Sequence, residues 1–278
     1  MDSICLWLKE RQLKLAPHKC SVLEIKRSSV ISNSPTFYLD NTEITSSSTV
    51  KDLGIFLSSD LKWAQHIDHV YKTASLTSYR ILKSFKTTNI WTLLNLYTTY
   101  VRPKLEFNSC IWSPYLNKDI ERIERIQKSF TRKACLRCNI PFSSYQNRLY
   151  LLGIQSLQYR RLTFDLIQIF KIINGLSDIK FDNYFIFKQN VHNLRGNTIK
   201  IQLRSSFKNS KISQIHHCFF NRVIKYWNLL PDVIATTPTL NAFKRNLSNF
   251  DLTTFLWPVD LVICVCFLYF PTYRVLRI

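Results

Sequence analysis

The sequence of 278 residues has little glycine, and this shortage excludes several enzyme classes. Its four glycines all stand alone, so it contains neither the G-x-G-x-x-G pattern of dinucleotide-binding folds nor a glycine-rich phosphate loop. The H-E-x-x-H pattern of zinc peptidases and the G-x-S-x-G turn of α/β-hydrolases are absent as well. Spacing patterns alone therefore assign the chain to no enzyme class.

Acidic residues are also scarce. The chain has 38 Lys and Arg residues against 18 Asp and Glu residues, which gives a formal net charge of +20. Such an excess destabilises a compact chain by self-repulsion unless a polyanion neutralises it. Nucleic acid is therefore the first predicted partner, and an anionic membrane surface is the second.

Long apolar runs are missing too. An unbroken apolar run extends only from Leu261 to Phe270, about half of the roughly twenty residues that span a bilayer. We therefore expect a buried or frayed hydrophobic tail over 252–278, with membrane association as the less favoured alternative. No secretory leader is expected, and eight scattered cysteines are typical of reduced thiols, which predicts a location in the nucleus or cytoplasm.

One cysteine pair has the C-x-x-C spacing of a zinc site, namely Cys135 and Cys138. A structural zinc site needs about four ligands, usually as two paired sets. The nearest further ligands, His216, His217 and Cys218, are distant in sequence and lack a matching spacing. Packed or solvated thiols are therefore the expectation, and no metal site is predicted.

The densest pattern lies in Leu94–Arg137, where two amphipathic helices are predicted. The first ends or kinks at Pro103, and the second begins after Pro114 with Asn117 as its N-cap. Acidic residues lie near the start of the second helix and basic residues near its end, and Glu124 is spaced to pair with Lys128. Its apolar stripe consists of Ile120, Ile123, Ile126, Phe130 and Ala134.

The rest of the chain predicts an α+β fold that is mostly α, with a small antiparallel sheet near the N-terminus, a helical bundle and a mixed C-terminal extension. A Ser/Thr-rich loop is expected over 45–49 and a turn at Asp40-Asn41. Predicted strands are 21–25, 36–39, 53–57, 184–187 and 198–203. Predicted helices are 1–11, 63–86, 142–152, 157–174, 219–230 and 240–250, with Gly153 and Gly175 ending two of them. Predicted domains are 1–62, 63–177, 178–251 and the tail 252–278.

The pattern LYxxYVRPxLEFxxxIWSPYLxKDIERIERIQKxFTRKA, which begins at Leu96, resembles the region that follows the palm in reverse transcriptases of non-LTR retrotransposons (LINEs) of the Jockey kind. The resemblance extends upstream through LKLAPHKC (Leu13–Cys20) and KDLGIFLSSDLKW (Lys51–Trp63). Downstream it reaches the region of Trp227–Pro231, so that it covers most of the chain.

This resemblance implies an RNA-directed DNA polymerase, in which paired carboxylates hold two Mg²⁺ ions. The Phe/Tyr-Ala-Asp-Asp turn of the family lies just upstream of the segment that matches Leu13–Cys20, and the 278 residues contain no Asp-Asp pair. Asp119 and Glu121 point to different faces of a helix, and nothing marks Asp178 and Asp182 as a metal site. We therefore expect a truncated reverse transcriptase that binds no cofactor itself, does not polymerise DNA alone, and lacks its partner palm and fingers portion.

By this resemblance, the chain retains the parts of the polymerase that hold template and primer. The resemblance implies sequence-nonspecific binding of RNA, DNA or an RNA–DNA hybrid by the palm end, the primer-grip hairpin and a helical thumb. The tryptophans 91, 112 and 227 are expected to be packed rather than stacked on bases. The implied nucleic-acid-binding residues are Lys14, Lys19, Leu53, Gly54, Lys83, Lys86, Arg102, Lys104, Arg125, Lys128, Arg132, Lys133 and Arg137.

A second hypothesis makes no use of nucleic acid. The thumb-like helices would then serve as a non-enzymatic module that binds another protein, through apolar surface that the missing palm would otherwise cover.

Overall fold

A computed structural model describes residues 6–8, 10–14, 16–25, 36–39, 42–188, 197–204 and 216–256. Helices dominate these residues, and four two-stranded sheets accompany them, which confirms the predicted α+β, mostly α class. The predicted turn at Asp40-Asn41 lies outside the described residues, as do part of the helix 1–11 and most of the tail 252–278.

The N-terminal part contains six short strands, and only some of them match the prediction. They are β1 (Val22–Leu23), β2 (Phe37–Leu39), β3 (Thr42–Ile44), β4 (Ser46–Ser47), β5 (Thr49–Asp52) and β6 (Ile55–Ser58). The pairs β2–β3 and β5–β6 are antiparallel, whereas β1 pairs with β4 in parallel. The expectation of a loop over 45–49 was wrong, because β4 lies within it. The strand predicted over 53–57 begins two residues later, because Leu53 and Gly54 form the turn between β5 and β6.

The central part of the chain is helical. Its elements are α1 (Ala64–Ser84), α2 (Ile90–Leu96), a π-helical turn (Tyr97–Val101), α3 (Arg102–Glu106), α4 (Ser109–Trp112), α5 (Asn117–Arg137), α6 (Tyr145–Leu151) and α7 (Leu157–Ile173). The π-helical turn ends at Val101 and Pro103 lies in the first turn of α3, so regular α-helical bonding is interrupted just before the proline and the helix does not end at it. Ser144 and Ser156 cap α6 and α7 by accepting hydrogen bonds from backbone N–H groups.

Two local predictions in this part had different outcomes. The predicted N-cap Asn117 was wrong, because Leu116 occupies that position and makes no side-chain capping bond. Gly153 and Gly175 both follow helix ends with positive φ values of 61° and 66°, as expected for C-terminal stops.

The C-terminal part begins with the short helix α8 (Phe181–Tyr184), which leads into β7 (Phe185–Phe187). Strand β7 pairs antiparallel with β8 (Ile201–Leu203). Helices α9 (Phe219–Leu229), α10 (Asp232–Ala235) and α11 (Leu240–Ser248) follow. The elements β7, β8, α9 and α11 lie within the predicted strands 184–187 and 198–203 and the predicted helices 219–230 and 240–250, whereas α8 and α10 were not predicted.

Two large hydrophobic clusters hold these elements. The first joins β6 and the helices α1 to α5, with Trp112, Ile123 and Phe130 among its fully buried side chains. The second joins α7, β7, β8 and α9 to α11 around Phe170 and Trp227. Helix α7 contributes Leu157 to the first cluster and most of its other apolar side chains to the second. The predicted boundary near 178 stays a prediction, and α7 packs on the elements that follow that boundary.

Candidate nucleic-acid interface

Helix α5 carries a cationic ridge between two open grooves. Its apolar stripe packs against α1 and α2, as the periodicity predicted, and this turns the opposite face toward solvent. Arg125, Ser129 and Lys133 follow one another at four-residue steps on that exposed face and line both grooves. The ridge is therefore the shared wall of two neighbouring depressions.

The first depression, the α5–α6 groove, has a volume of about 570 Å³. The second, the α1–α5 groove, has a volume of about 590 Å³. No Asp or Glu residue lines either groove in the part of the chain that the structure describes. The cations predicted from the sequence that line one or both grooves are Lys83, Lys86, Arg125, Lys128, Arg132, Lys133 and Arg137.

Some of these cations also hold the fold together. The Arg137 guanidinium donates to the carbonyl oxygens of Phe85 (2.7 Å) and Leu82 (2.6 Å), which are at the C-terminal end of α1. This cation satisfies acceptors that a helix end leaves unpaired, and it fixes the end of α5 to α1. The Lys128 ammonium lies 5.3 Å from the centroid of the Tyr145 ring, so it also contacts α6.

Arg148 lines the α5–α6 groove and was missed in the sequence. Its side chain is buried, donates to the carbonyl oxygen of Ser143, and lies 3.4 Å from the Thr131 hydroxyl oxygen. It therefore connects α6 to α5 and holds the segment that precedes α6. No spacing pattern marks Arg148, because a buried arginine and a solvated one look the same in a sequence.

A buried polar network fixes α5 relative to α6 and α7. Glu124 is only 3% exposed and accepts hydrogen bonds from the Tyr145 hydroxyl and from the backbone N–H groups of Leu157 (3.0 Å) and Gln158 (3.3 Å). It therefore caps the N-terminus of α7, a role that its helical spacing from Lys128 did not predict. Burial, together with the Glu124 charge, raises the pKa of Tyr145, so this phenol stays protonated.

Gln127 extends the same network. Its amide oxygen accepts from the Tyr97 hydroxyl at 2.8 Å, and its amide nitrogen donates to the Tyr145 hydroxyl (2.8 Å) and to the carbonyl oxygen of Gln155 (2.9 Å). Because these bonds are buried, they fix the relative positions of three helices rather than bind a ligand. The groove walls are consequently built on a defined scaffold.

The remaining predicted residues do not line these grooves. Arg102 and Lys104 lie on α3, and burial lowers the pKa of the Arg102 guanidinium, which also lies near Arg160. Lys14 and Lys19 are exposed near the N-terminus, Lys19 at the end of a 3₁₀ turn, Pro17–Lys19. The predicted residues therefore fall into two sets: the cations that line the two grooves, and residues that lie elsewhere in the chain.

The predicted grip residues Leu53 and Gly54 occupy the tip of the β5–β6 hairpin. Both have positive φ values, 44° and 88°, as a two-residue hairpin turn of type I′ requires. A Cβ atom on Gly54 would lie 3.5 Å from a ring carbon of Phe107, an ordinary contact, so the torsion rather than space requires glycine. Leu53 is 85% exposed in a conformation that a leucine side chain disfavours.

The three tryptophans named in the sequence analysis differ in burial. Trp112 and Trp227 are fully buried, and their indole N–H groups donate to the carbonyl oxygens of Phe107 (2.7 Å) and Ile199 (2.8 Å), which confirms the packing prediction for these two. Trp91 is 57% exposed, so the prediction was wrong for it. Among the described residues, two aromatic side chains line a cationic groove with most of their surface exposed, Phe142 in the α5–α6 groove (77%) and Tyr79 in the α1–α5 groove (58%), and no pattern singled out either.

The carboxylates and thiols of the described residues form no metal cluster: no group of three or more His, Cys, Asp or Glu side chains in 42–188, 197–204 or 216–256, or in the shorter described segments, could hold an ion. Burial raises the pKa of both Cys135 and Cys138. Within the same residues, no helix is both long and apolar enough to cross a membrane.

Comparisons with known proteins place the chain in no family. No family model matches it, and no solved structure matches it. An uncharacterized protein of Caenorhabditis elegans is 32% identical over 113 residues, which are 41% of this chain and 57% of that protein. The chain thus spans little more than half the length of this relative, whose description states no activity.

Proposed function

We propose that this chain is a reverse-transcriptase domain protein of a non-LTR retroelement that binds nucleic acid through the two grooves beside α5. The observation that carries this proposal is the concentration of cations around Arg125 and Lys133, without a lining carboxylate. The motif resemblance of the surrounding sequence to thumb regions supports the same function. The ligand is an RNA, a DNA or an RNA–DNA hybrid, bound without sequence preference.

The geometry favours phosphates as the bound groups. Cations on a single rigid helix face meet a charged backbone in a fixed register, whereas reading a sequence requires donors and acceptors aimed at base edges. Arg125 and Lys133 are exposed, and the α1–α5 groove adds Lys83 and Lys86 as a second row. Two rows of cations with a ridge between them suit a polyanion that lies across α5.

Nucleotidyl transfer is not assigned to these residues. The 278 residues contain no Asp-Asp pair, and Glu124 of α5 is engaged in capping α7. In this proposal the chain holds template and primer, and the Mg²⁺-binding carboxylates belong to the palm of the full-length family. Localisation in the nucleus or cytoplasm follows from the same proposal.

Equilibrium binding to a fluorescent RNA–DNA hybrid across a range of salt concentrations tests the proposal. We expect the logarithm of the association constant to fall linearly with the logarithm of salt, with a slope of roughly 0.9 per phosphate contacted. Replacing the ridge cations (Arg125→Ala with Lys133→Ala) should reduce that slope by about two. The matched control pair, Lys225→Ala with Lys244→Ala, removes exposed cations outside both grooves and should leave the slope nearly unchanged.

Two results would count against the proposal. Undetectable or salt-insensitive binding would remove its electrostatic basis. An equal loss in the ridge pair and the control pair would show that net charge alone, and not the ridge, attracts the nucleic acid.

One observation favours the protein-binding module as a second candidate. Leu136, Phe142, Tyr150 and Leu151 are each more than half exposed around the end of α5 and α6. Exposed apolar side chains in one region are typical of interaction surfaces. A protein that co-purifies with the chain after nuclease treatment, and that is lost on Tyr150→Ala and Leu151→Ala, would support this function.

A further inference from the structure

Phe142 is an aromatic side chain that lies outside the hydrophobic core. It is 77% exposed and is a member of none of the three hydrophobic clusters among the described residues. Leaving a phenylalanine ring in water forgoes the hydrophobic stabilisation that its burial would contribute. Its surroundings therefore show what the exposed ring can bind.

Those surroundings are cationic. The Arg132 guanidinium carbon lies 5.9 Å from the Phe142 ring centroid, and Lys128 and Lys133 line the same groove. A groove that combines a free aromatic face with several cations offers a stacking surface and phosphate contacts at once. This combination is typical of sites for single-stranded nucleic acid.

Hydrogen bonds also hold the backbone that follows Phe142. The next residue, Ser143, accepts a hydrogen bond through its carbonyl oxygen from the buried guanidinium of Arg148. Ser144 then begins α6 as an N-cap, accepting from the N–H of Asn147 at 3.2 Å. Phe142 is therefore presented from a backbone that is fixed at the following two residues.

We infer that the α5–α6 groove binds a single-stranded segment of RNA or DNA and stacks one unpaired base on Phe142, with Arg132 and Lys133 contacting the flanking phosphates. The inference rests on the proposed function and assigns a ligand form to one of its two grooves. A base within a duplex has both faces covered by its neighbours, so only an unstacked base can use this ring. The α1–α5 groove also holds an exposed ring, Tyr79, but this ring is less exposed than Phe142 (58% against 77%), and base stacking is assigned to Phe142.

The test compares two ligands on the full chain. One is a single strand of about ten nucleotides, a typical length for such sites, that carries a fluorescent adenine analogue. The other is a blunt RNA–DNA hybrid of the same length. Phe142→Ala is expected to weaken binding of the single strand by about tenfold, in line with the cost of losing one stacked base, and to abolish quenching of the analogue. Hybrid binding should change less than twofold.

Three further variants make the outcome specific. Phe142→Trp keeps an aromatic face and should retain both affinity and quenching, whereas Phe142→Leu keeps only apolar bulk and should behave like the alanine variant. Tyr150→Ala removes an equally exposed aromatic ring on α6 that does not line the groove, and it should leave single-strand binding unchanged. Because Phe142 is absent from the hydrophobic clusters, all three Phe142 variants should fold.

The results separate this inference from the proposed function. If the ridge variants of α5 weaken binding of both ligands while Phe142→Ala changes neither, the chain binds nucleic acid but not by stacking, and the inference is overturned. If Phe142→Ala weakens both ligands equally, or Phe142→Leu is as good as Phe142→Trp, stacking is again excluded. If neither ligand binds, the proposed function fails first. Single strands of RNA and of DNA, run in parallel, show which sugar the groove accepts.

Discussion

His66 is a residue whose acid–base behaviour depends strongly on its position in the fold. It is 2% exposed, its Nδ1 accepts the backbone N–H of Phe56 at 3.3 Å, and its ring meets that of Trp112 edge-on at 4.9 Å between centroids. Burial, with a smaller contribution from His69, lowers the pKa of His66 from 6.5 to about 4. A proton on this ring would have to displace the Phe56 hydrogen bond in an apolar site.

This depressed pKa predicts a pH-dependent stability. The unfolded chain takes up the His66 proton near pH 6.5 and the folded chain only near pH 4, so unfolding is favoured as pH falls through this window. We expect a loss of up to about 3 kcal/mol in the free energy of unfolding from this group. The variant His66→Gln takes up no proton at this position, so its free energy of unfolding should lack this pH-dependent loss. At neutral pH the variant should be less stable than the original chain. Urea unfolding at a series of pH values measures the pH-dependent loss, and parallel profiles for the two proteins would contradict the prediction.

At the scale of single residues, the sequence predicted side chains that lie on a periodic face and missed those whose role depends on a distant partner. Arg125 and Lys133 follow from the spacing of α5, because the apolar stripe of one face determines what the other face presents to solvent. Glu124 and Arg148 act across α5, α6 and α7, and apart from Ser143 their hydrogen-bond partners are 17 to 34 residues away. Periodicity carries no information about such pairs.

At the scale of elements, long helices were predictable and short strands were not. Helices α1, α5 and α7 repeat their apolar positions over several turns, so the period is defined. Strands of two to four residues, such as β3 and β4, offer too few alternations to show a period. The parallel pairing of β1 with β4 depends on a contact between distant segments, which no local pattern reveals.

The β5–β6 hairpin allows an element-scale prediction. Leu53 holds a positive φ of 44° at the tip, a conformation that costs a non-glycine residue of its kind about 1 kcal/mol. Leu53→Asn should therefore stabilise the chain by roughly 0.5–1 kcal/mol, because asparagine tolerates this turn position. Gly54→Ala, at φ 88°, should destabilise it by at least about 1 kcal/mol.

Thermal or urea unfolding of the two hairpin variants checks these opposite signs. If Leu53→Asn also lowers affinity for an RNA–DNA hybrid while raising stability, the exposed leucine is retained for binding at a cost in stability. Destabilisation by Leu53→Asn would contradict the assignment of turn strain to this residue.

At the scale of the whole molecule, a buried ion pair connects the part of the chain that carries the grooves to the C-terminal elements. Asp165 of α7 is 3% exposed and accepts two hydrogen bonds from the Arg222 guanidinium of α9, at 2.8 and 2.9 Å. The same guanidinium donates to the carbonyl oxygen of Cys110 on α4 at 2.6 Å. Three helices from both hydrophobic clusters therefore meet at one cation.

We predict that removing that cation causes a large loss of stability, which both hydrophobic clusters share. Burial raises the pKa of Asp165, and Arg222 is the partner that opposes this shift. Arg222→Met should cost about 3–5 kcal/mol, because a buried carboxylate then loses the cation that hydrogen-bonds it and keeps only the weaker influence of Arg161. The double variant Asp165→Asn with Arg222→Met should recover part of that loss, since both members of the buried pair are then neutral. Lys225→Met, an exposed cation on the same helix, is the matched control and should change stability by less than about 0.5 kcal/mol.

Hydrogen exchange in the native state can show whether this loss is shared by both clusters. Because α7 packs in the second cluster and also contributes Leu157 to the first, Arg222→Met should lower the protection of α1 and α9 amides by similar free energies. A loss confined to α9 would mean that the two clusters unfold separately. In that case α5 and its grooves would stay folded without the C-terminal elements, and a shortened chain ending near 177 would retain nucleic-acid binding. A shared loss instead means that the grooves depend on the whole described chain, through one buried arginine.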